Sequence, residues 1–298
     1  MKSLIIGASG KIGKYYLQKK NKNLLFTYFK NKIHKGIRFN LLKDDINKII
    51  KKYNITSVVL LSANSDPDYC KKNKKKSNEL NVYKTKEIIK QFIDKNIYFI
   101  FFSSEFVFDG KKGNYNENSK TSPINLYGKQ KKQIEIFIKK NAKNYSILRI
   151  AKTYGDKMND NTLISSFLKI SRIKKQIIYA ATDQKFSPLF SKDLIKITLF
   201  FLKNKVKGVY NVGGPHSYSR YEIYERFNKL INENQKKFYK VALIKKKLSN
   251  FKFYEKRPKN VSFNVELIKK TINFNLVNIE KIFKKKYESF KRRQKSKK

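Results

Sequence analysis

The sequence predicts an α/β fold, with a doubly wound parallel sheet carrying helices on both faces. Three observations predict it. Short apolar runs alternate with longer amphipathic ones from residue 1 to 150. The short runs are continuously apolar, as strands buried on both faces are. The first run stops at a glycine-rich turn, "GASGKIG", which leads into a helical stretch.

The elements follow in order. "LIIG" (4–7) reads as a buried strand ended by glycine, and a helix is expected over about 11–20. "LLFTY" (24–28) reads as the second strand. Residues 44–53 carry Ile46, Ile49 and Ile50 at helical spacing. "SVVLLS" (57–62) is a third buried strand, followed by a long helix over 78–94. "IYFIFFS" (97–103) and "SILRI" (146–150) extend the series, with a helix near 125–140 between them. Past Ile150 the alternation loosens, although "IIYA" (177–180) and "GVYNV" (208–212) still read as strands. Residues 1–150 thus form a dinucleotide-binding domain, completed by strands near 177–212. Residues 151–290 form a smaller, mainly substrate-binding domain, and 291–298 a basic, disordered tail.

The glycine turn gives the first functional sign. Gly7, Gly10 and Gly13 stand between the first strand and the first helix. One glycine makes the turn, one admits the backbone to a pyrophosphate, and one lets helix and strand pack closely. The helix N-terminus is expected to supply N–H groups and a positive dipole end to the phosphates. This is the arrangement of a Rossmann-type fold. NAD-selecting sites often end the second strand with an acid; here "TYFKNK" (27–32) has none. Lys30 and Lys32 suit a 2′-phosphate, so NADPH is the expected cofactor and NADH the alternative.

Composition narrows the classes. The chain has 298 residues and a formal net charge of +48 from 70 Lys+Arg against 22 Asp+Glu. Only eight of the cations are arginine, and the lysines spread over the whole length. Readers of nucleic acid favour the bidentate arginine fork. With abundant Asn, Ile, Phe and Tyr, the lysines fit an AT-rich coding bias better than nucleic-acid binding. Attraction of anionic substrates remains a physical consequence. Cys70 is the single cysteine, so no internal disulfide forms and a reducing compartment is expected. His34 and His216 are too far apart in sequence to suggest a metal site. "YFIFF" (98–102) and "ITLFFL" (197–202) are too short to span a bilayer. The N-terminus runs straight into a strand, and the chain reads as cytoplasmic.

Tyr-x-x-x-Lys occurs five times, at Tyr15, Tyr16, Tyr28, Tyr127 and Tyr287, so spacing alone decides nothing in so lysine-rich a chain. Tyr127 and Lys131 differ in context. They start a helix announced by Ser122 and Pro123, a cap and first position. Four residues apart, they share one helix face. They also follow the strand and loop "FFSSEFVFDGKKGNYNENSKTSP".

The block "SSEFVFDG…SPINLYGKQK", the segment "SANSDPDYCKKNKKKSNELNV" (62–82), and the later "LRIAKTYGD", "TDQKFSPLFSKDL", "GVYNVGG" and "RPKNVSFNVELI" occur in this order. Together they resemble the dTDP-4-dehydrorhamnose reductase family, sugar-nucleotide-modifying extended short-chain dehydrogenases/reductases. The resemblance covers nearly the whole chain. It implies NADPH-dependent reduction of a 4-keto group on a nucleotide sugar, in dTDP-rhamnose and polysaccharide biosynthesis. It implies Tyr127 as general acid, Lys131 as its electrostatic partner and ribose ligand, and Ser104 as donor to the substrate oxygen. Cofactor contacts are implied at Gly7, Ser9, Gly10, Lys11, Ile12, Gly13, Lys30, Asn40, Leu41, Ser62, Ala63 and Asn64, as well as Tyr127 and Lys131. Substrate contacts are implied at Ser104, Glu105, Phe106 and Lys152. A nucleotide-sugar partner follows, with no metal, and a homodimer is left open.

The chain departs from the family at the sugar side. Ser104, Glu105 and Phe106 replace the usual Thr-Asp-Tyr, Lys152 stands where Trp is common, and Asn40 replaces an Asp beside the adenine. Ser103 and Ser104 can equally serve backbone groups at the strand end. Two alternatives follow: an epimerase or reductase for another nucleotide sugar, and a non-catalytic, cofactor-binding regulatory subunit.

Overall fold

The computed structural model describes residues 2–19, 21–231 and 238–295. Its centre is a seven-stranded parallel sheet. The strands are β1 (Lys2–Ile6), β2 (Leu24–Tyr28), β3 (Ile37–Arg38), β4 (Ile55–Leu60), β5 (Tyr98–Ser104), β6 (Tyr145–Ile150) and β7 (Gly208–Val212). Their order is β7-β6-β5-β4-β1-β2-β3. The chain leaves β1 toward β2 on one side and returns to β4 on the other. That reversal is the point where such sheets open a crevice beyond their carboxyl ends.

Burial explains the parallel sheet. Every residue of β5 is buried, as a strand covered on both faces requires. One face packs Leu4, Ile6, Val58, Phe99 and Phe101 beneath the helices Ile46–Tyr53 and Thr85–Asp94. The other packs Ile5, Val59, Ile100 and Phe102 with the helix Ser191–Asn204. A separate cluster gathers Tyr154, Phe167, Phe227 and Phe283. There Phe227 and Phe283 stack at 4.0 Å.

Several sequence expectations change. The first helix is a single turn, Gly13–Tyr16, rather than a helix to residue 20. Of its residues Gly13, Tyr15 and Tyr16 are buried, whereas Leu17, Gln18 and Lys19 after it are exposed and bury no further apolar face. Residue 20 lies outside the described residues. The long helix expected over 78–94 is segmented, with a π-helical stretch Glu79–Lys84 before Thr85–Asp94. The strand Ile177–Ala181 does not complete the central sheet. It pairs in parallel with Ala242–Lys246, and its Ile177 and Tyr179 are exposed. Only β7 joins the sheet, at its edge, where Gly208 is in register with Ser146. The final helix, Ile279–Lys295, runs into the tail expected to be disordered; residues 296–298 lie outside the described residues. No described helix is long and apolar enough to cross a membrane.

Candidate active site

A cleft of about 800 Å³ opens beyond the carboxyl ends of β1, β4, β5 and β6. Its lining includes Lys11, Ile12, Ala63, Ser104, Glu105, Phe106, Tyr127, Lys131 and Lys152. Later segments close it, through Lys157, Asp160, Gln184, Arg220 and Val261. The remaining predicted residues, Gly7, Ser9, Gly10, Gly13, Lys30, Asn40, Leu41, Ser62 and Asn64, lie outside this lining.

The glycine turn borders the cleft. Gly7 has φ +88, in the left-handed region that suits glycine. Its N–H donates to Thr27 Oγ1 at 3.1 Å, which fastens the turn to the end of β2. A Cβ on Gly13 would stand 2.4 Å from the Ala8 carbonyl oxygen, so this glycine is needed for close packing. A Cβ on Gly10 would meet only the Gly7 oxygen, at 3.4 Å, so backbone is open to an approaching ligand there. These features fit a dinucleotide pyrophosphate. Because the helix is only one turn long, the expected dipole contribution gives way to the turn's own backbone N–H groups.

The loop after β4 is held from below. Asn81, buried in the π-helical stretch, accepts from the Asn64 N–H and donates to the Asn64 carbonyl, both at 2.9 Å. It also donates to Gln130 Oε1 at 2.8 Å, and Gln130 donates to Ser77 and Asn78. The side chain of Asn64 caps its own loop at the Asp66 N–H. Lys30 is exposed after β2. Asn40 accepts from the Leu42 N–H. Its predicted acceptor atom thus already serves its own turn.

Tyr127 and Lys131 lie on the helix Leu126–Asn141. Its cap is Asn125, not the expected Ser122, because the Asn125 side-chain oxygen Oδ1 accepts from the Gly128 N–H at 2.8 Å. Gly128 lets this helix press on the Glu105–Val107 turn, since a Cβ there would stand 2.0 Å from the Phe106 oxygen. The Lys131 ammonium donates to the Phe102 carbonyl at 2.8 Å and lies 5.8 Å from the centre of the Tyr127 ring. Ser104 accepts from the Phe106 N–H at 3.2 Å, so the strand-end role of its hydroxyl is realised. The same hydroxyl acts on the Tyr127 phenol.

Electrostatics follow from burial. Tyr127 is 7% exposed, and burial pushes its phenol well above the usual range. The Ser104 hydrogen bond opposes that rise, while Cys70 and Glu105 add to it. Lys131 is not among the groups that shift the phenol here. Burial instead pulls the Lys131 ammonium down to about 8, against the Cys70 and Glu135 charges. Glu105 is 6% exposed, and burial raises its carboxyl to about 8, with Lys152 acting against the rise through its charge and its backbone N–H. That N–H donates to Glu105 Oε2 at 3.2 Å.

Beneath these groups runs a sealed ion pair. Arg149 and Glu135 meet at 2.8 Å, both side chains almost fully buried, and Ser103 donates to Glu135 at 2.5 Å. The pair ties β5, β6 and the Tyr127 helix together. Sequence reading missed it, and missed Thr27, Asn81, Gln130 and Arg220 as well. Glu135 and Arg149 sit on different elements, so no local period links them. Asn81 gave one usable signal, a polar residue on the apolar face of a predicted helix.

A parallel sheet with a glycine turn at its switch point defines a Rossmann-type, dinucleotide-binding class of fold. Residues 1–291 match the family described as RmlD substrate binding domain, and the chain belongs to that family. Methionine adenosyltransferase 2 subunit beta of Xenopus tropicalis is 25% identical over 233 residues, 74% of this chain and 70% of that protein. The probable low-salt glycan biosynthesis reductase Agl14 of Haloferax volcanii is 24% identical over 62% of each chain. The fold superposes on a dTDP-4-dehydrorhamnose reductase from Clostridium acetobutylicum with a TM-score of 0.81, at 21% identity, over 98% of this chain and 100% of that one. It does so equally on the Bacillus anthracis dTDP-4-dehydrorhamnose reductase solved in complex with NADP, at TM-score 0.81 and 20% identity, over 97% and 100%.

Proposed function

We propose that this protein is an NADPH-dependent reductase of the 4-keto group of a nucleotide sugar. The observation that carries the reading is the meeting of Ser104, Tyr127 and Lys131 in one cleft beside a glycine turn built for a pyrophosphate. Likeness to the NADP complex from Bacillus anthracis supports the cofactor, with NADH as the alternative. Gly7, Gly10, Gly13, Lys11 and Ile12 would hold its phosphates, and Ala63 would flank its nicotinamide half.

NADPH, when bound, supplies the hydride. Negative charge then develops on the carbonyl oxygen, and the chain must stabilise and protonate it. Tyr127 keeps its proton at neutral pH because burial raises its phenol, so it is in the right state for a general acid. Ser104 orients the phenol and donates to the same oxygen. Lys131 remains mostly charged at neutral pH, fixed by the Phe102 carbonyl, and would hold the nicotinamide ribose. Glu105, Phe106 and Lys152 would face the sugar.

The test is NADPH oxidation with a panel of nucleotide 4-keto sugars, beginning with dTDP-4-dehydrorhamnose. Turnover with one member supports the reading, and its identity separates reduction in a dTDP-rhamnose route from action on another sugar. A second reading, a cofactor-binding partner subunit, is favoured by the likeness to methionine adenosyltransferase 2 subunit beta. No turnover with any sugar, together with stable co-purification of a methionine adenosyltransferase, would select it.

A further inference from the structure

One wall of the cleft is strongly cationic. Lys11, Lys14, Lys152, Lys157 and Arg220 all line it. Among the described residues none of the five has a carboxylate at ion-pair distance. The lining holds two acids, Glu105 and Asp160, fewer than its cations. Asp160 is engaged by Thr162, Ser165 and the Lys157 N–H. Glu105 is buried, its carboxyl is raised to about 8, and it acts on the Lys152 ammonium without reaching ion-pair distance. Arg257, near Lys152, is already paired with Asp68 at 3.0 Å.

Lys152 has a defined place on this wall. β5 and β6 pair so that Ser104 is in register with Ile150, and Lys152 follows two residues later. Its backbone is fastened on two sides: its N–H to Glu105 at 3.2 Å, and its carbonyl to the Leu189 N–H at 3.0 Å. Its side chain lines the cleft, where burial of the ammonium and then the Arg220 charge draw it down to about 8, so it stays mostly charged at neutral pH. Arg220 is held by the first turn of the helix Arg220–Leu230, which Ser219 and Glu222 cap reciprocally. The two cations line one cleft and the Arg220 charge acts on the Lys152 ammonium, while neither has a carboxylate at ion-pair distance; like charges so placed repel. An anionic ligand would relieve that repulsion.

We infer that Lys152 and Arg220 form a subsite for an acidic group carried on the sugar ring, so that the sugar nucleotide taken here is an acid sugar rather than a neutral one. The inference rests on the nucleotide-sugar reading above and deepens it. In a hexose reacting at C4, the substituent on C5 lies beside the reacting carbon, whereas the diphosphate on C1 lies across the ring. A cation rooted next to Ser104 therefore meets a C6 carboxylate before it meets the diphosphate. A carboxylate also matches the guanidinium fork.

The experiment is calorimetric titration of the NADP⁺-loaded protein with UDP-glucuronic acid and UDP-glucose, and with the thymidine diphosphate forms of the same two sugars. Each pair differs only at C6. The acid sugar should bind at least about tenfold tighter in one nucleotide series, a ratio that a single charge-assisted contact supplies. Lys152→Met should bring the ratio toward one, and Lys152→Arg should keep it. Equal affinities in the wild-type protein overturn the subsite. So does an equal loss for acid and neutral sugars in Lys152→Met, which assigns the charge to the diphosphate. Binding of NADP⁺ with neither sugar nucleotide overturns the nucleotide-sugar reading itself, and the subsite with it. An unchanged melting temperature shows that Lys152→Met is folded.

Discussion

The floor and the wall of the cleft are built on opposite principles. The floor is sealed: Tyr127, Lys131, Ser104 and Glu105 are buried, and Arg149 and Glu135 pair beneath them. The wall is open, with Lys11, Lys14, Lys152 and Lys157 exposed. A buried floor fixes protonation states and geometry, which one reaction needs. An open, charged wall steers and sorts ligands, which selectivity needs. Under the proposed function, Tyr127 and Lys131 of the floor keep the family pattern, whereas Lys152 of the wall departs from it.

Removing the floor's chemistry should have the largest effect. Tyr127→Phe should lower kcat by about 10³-fold, within the range of a lost general acid, while NADPH fluorescence titration shows nearly intact cofactor binding. A turnover unchanged by that substitution would break the assignment of the floor. Removing the floor's support should come next. Arg149→Met leaves Glu135 buried without its partner, and should cost about 3–5 kcal/mol in urea denaturation. The same change at an exposed wall cation, such as Lys157→Met, should cost within about 0.5 kcal/mol.

Two pH effects sharpen the comparison. Lys131 carries its proton below about 8, so kcat/KM should decline above that pH as the ammonium is lost, about tenfold per pH unit. Lys131→Arg should remove that limb, whatever activity it retains. The smallest effect concerns Glu105. Its ordinary value is 4.5, and burial raises it to about 8 in the folded protein. Between those values the folded state holds a proton that the unfolded chain has released, so stability falls as pH rises through that window. Glu105→Gln should flatten this dependence and raise the melting temperature at pH 8 by roughly a few degrees, with little change at pH 4.

The legible parts of the molecule share one physical property. β1, β4 and β5 are continuous apolar runs, and a strand buried on both faces has to be one. The glycine turn is local in the same sense: its positive φ and its close approach to Ala8 depend on residues within one turn. Tyr127 and Lys131 were singled out by context, a helix following "FFSSEFVFDG" within an ordered series of blocks, since four other Tyr–Lys pairs share their spacing. What sequence missed depends on distant partners. Asn125 rather than Ser122 caps the helix, because its own amide also reaches the Lys256 carbonyl at 3.3 Å. Asn81 finds Gln130 across 49 positions, and Arg220 enters the cleft from a helix that follows the whole sheet. The strand Ile177–Ala181 read as a sheet strand because it is apolar, yet its exposed Ile177 and Tyr179 fit a two-stranded edge.

The most direct test of the central claim is isotopic. The protein is incubated with NADPH deuterated at nicotinamide C4 and a nucleotide 4-keto sugar, and the product is examined by mass spectrometry and NMR. One deuterium should appear on sugar C4 with the wild-type protein, and almost none with Tyr127→Phe. Absence of label from every keto sugar tried, or equal labelling by the two proteins, would contradict the account.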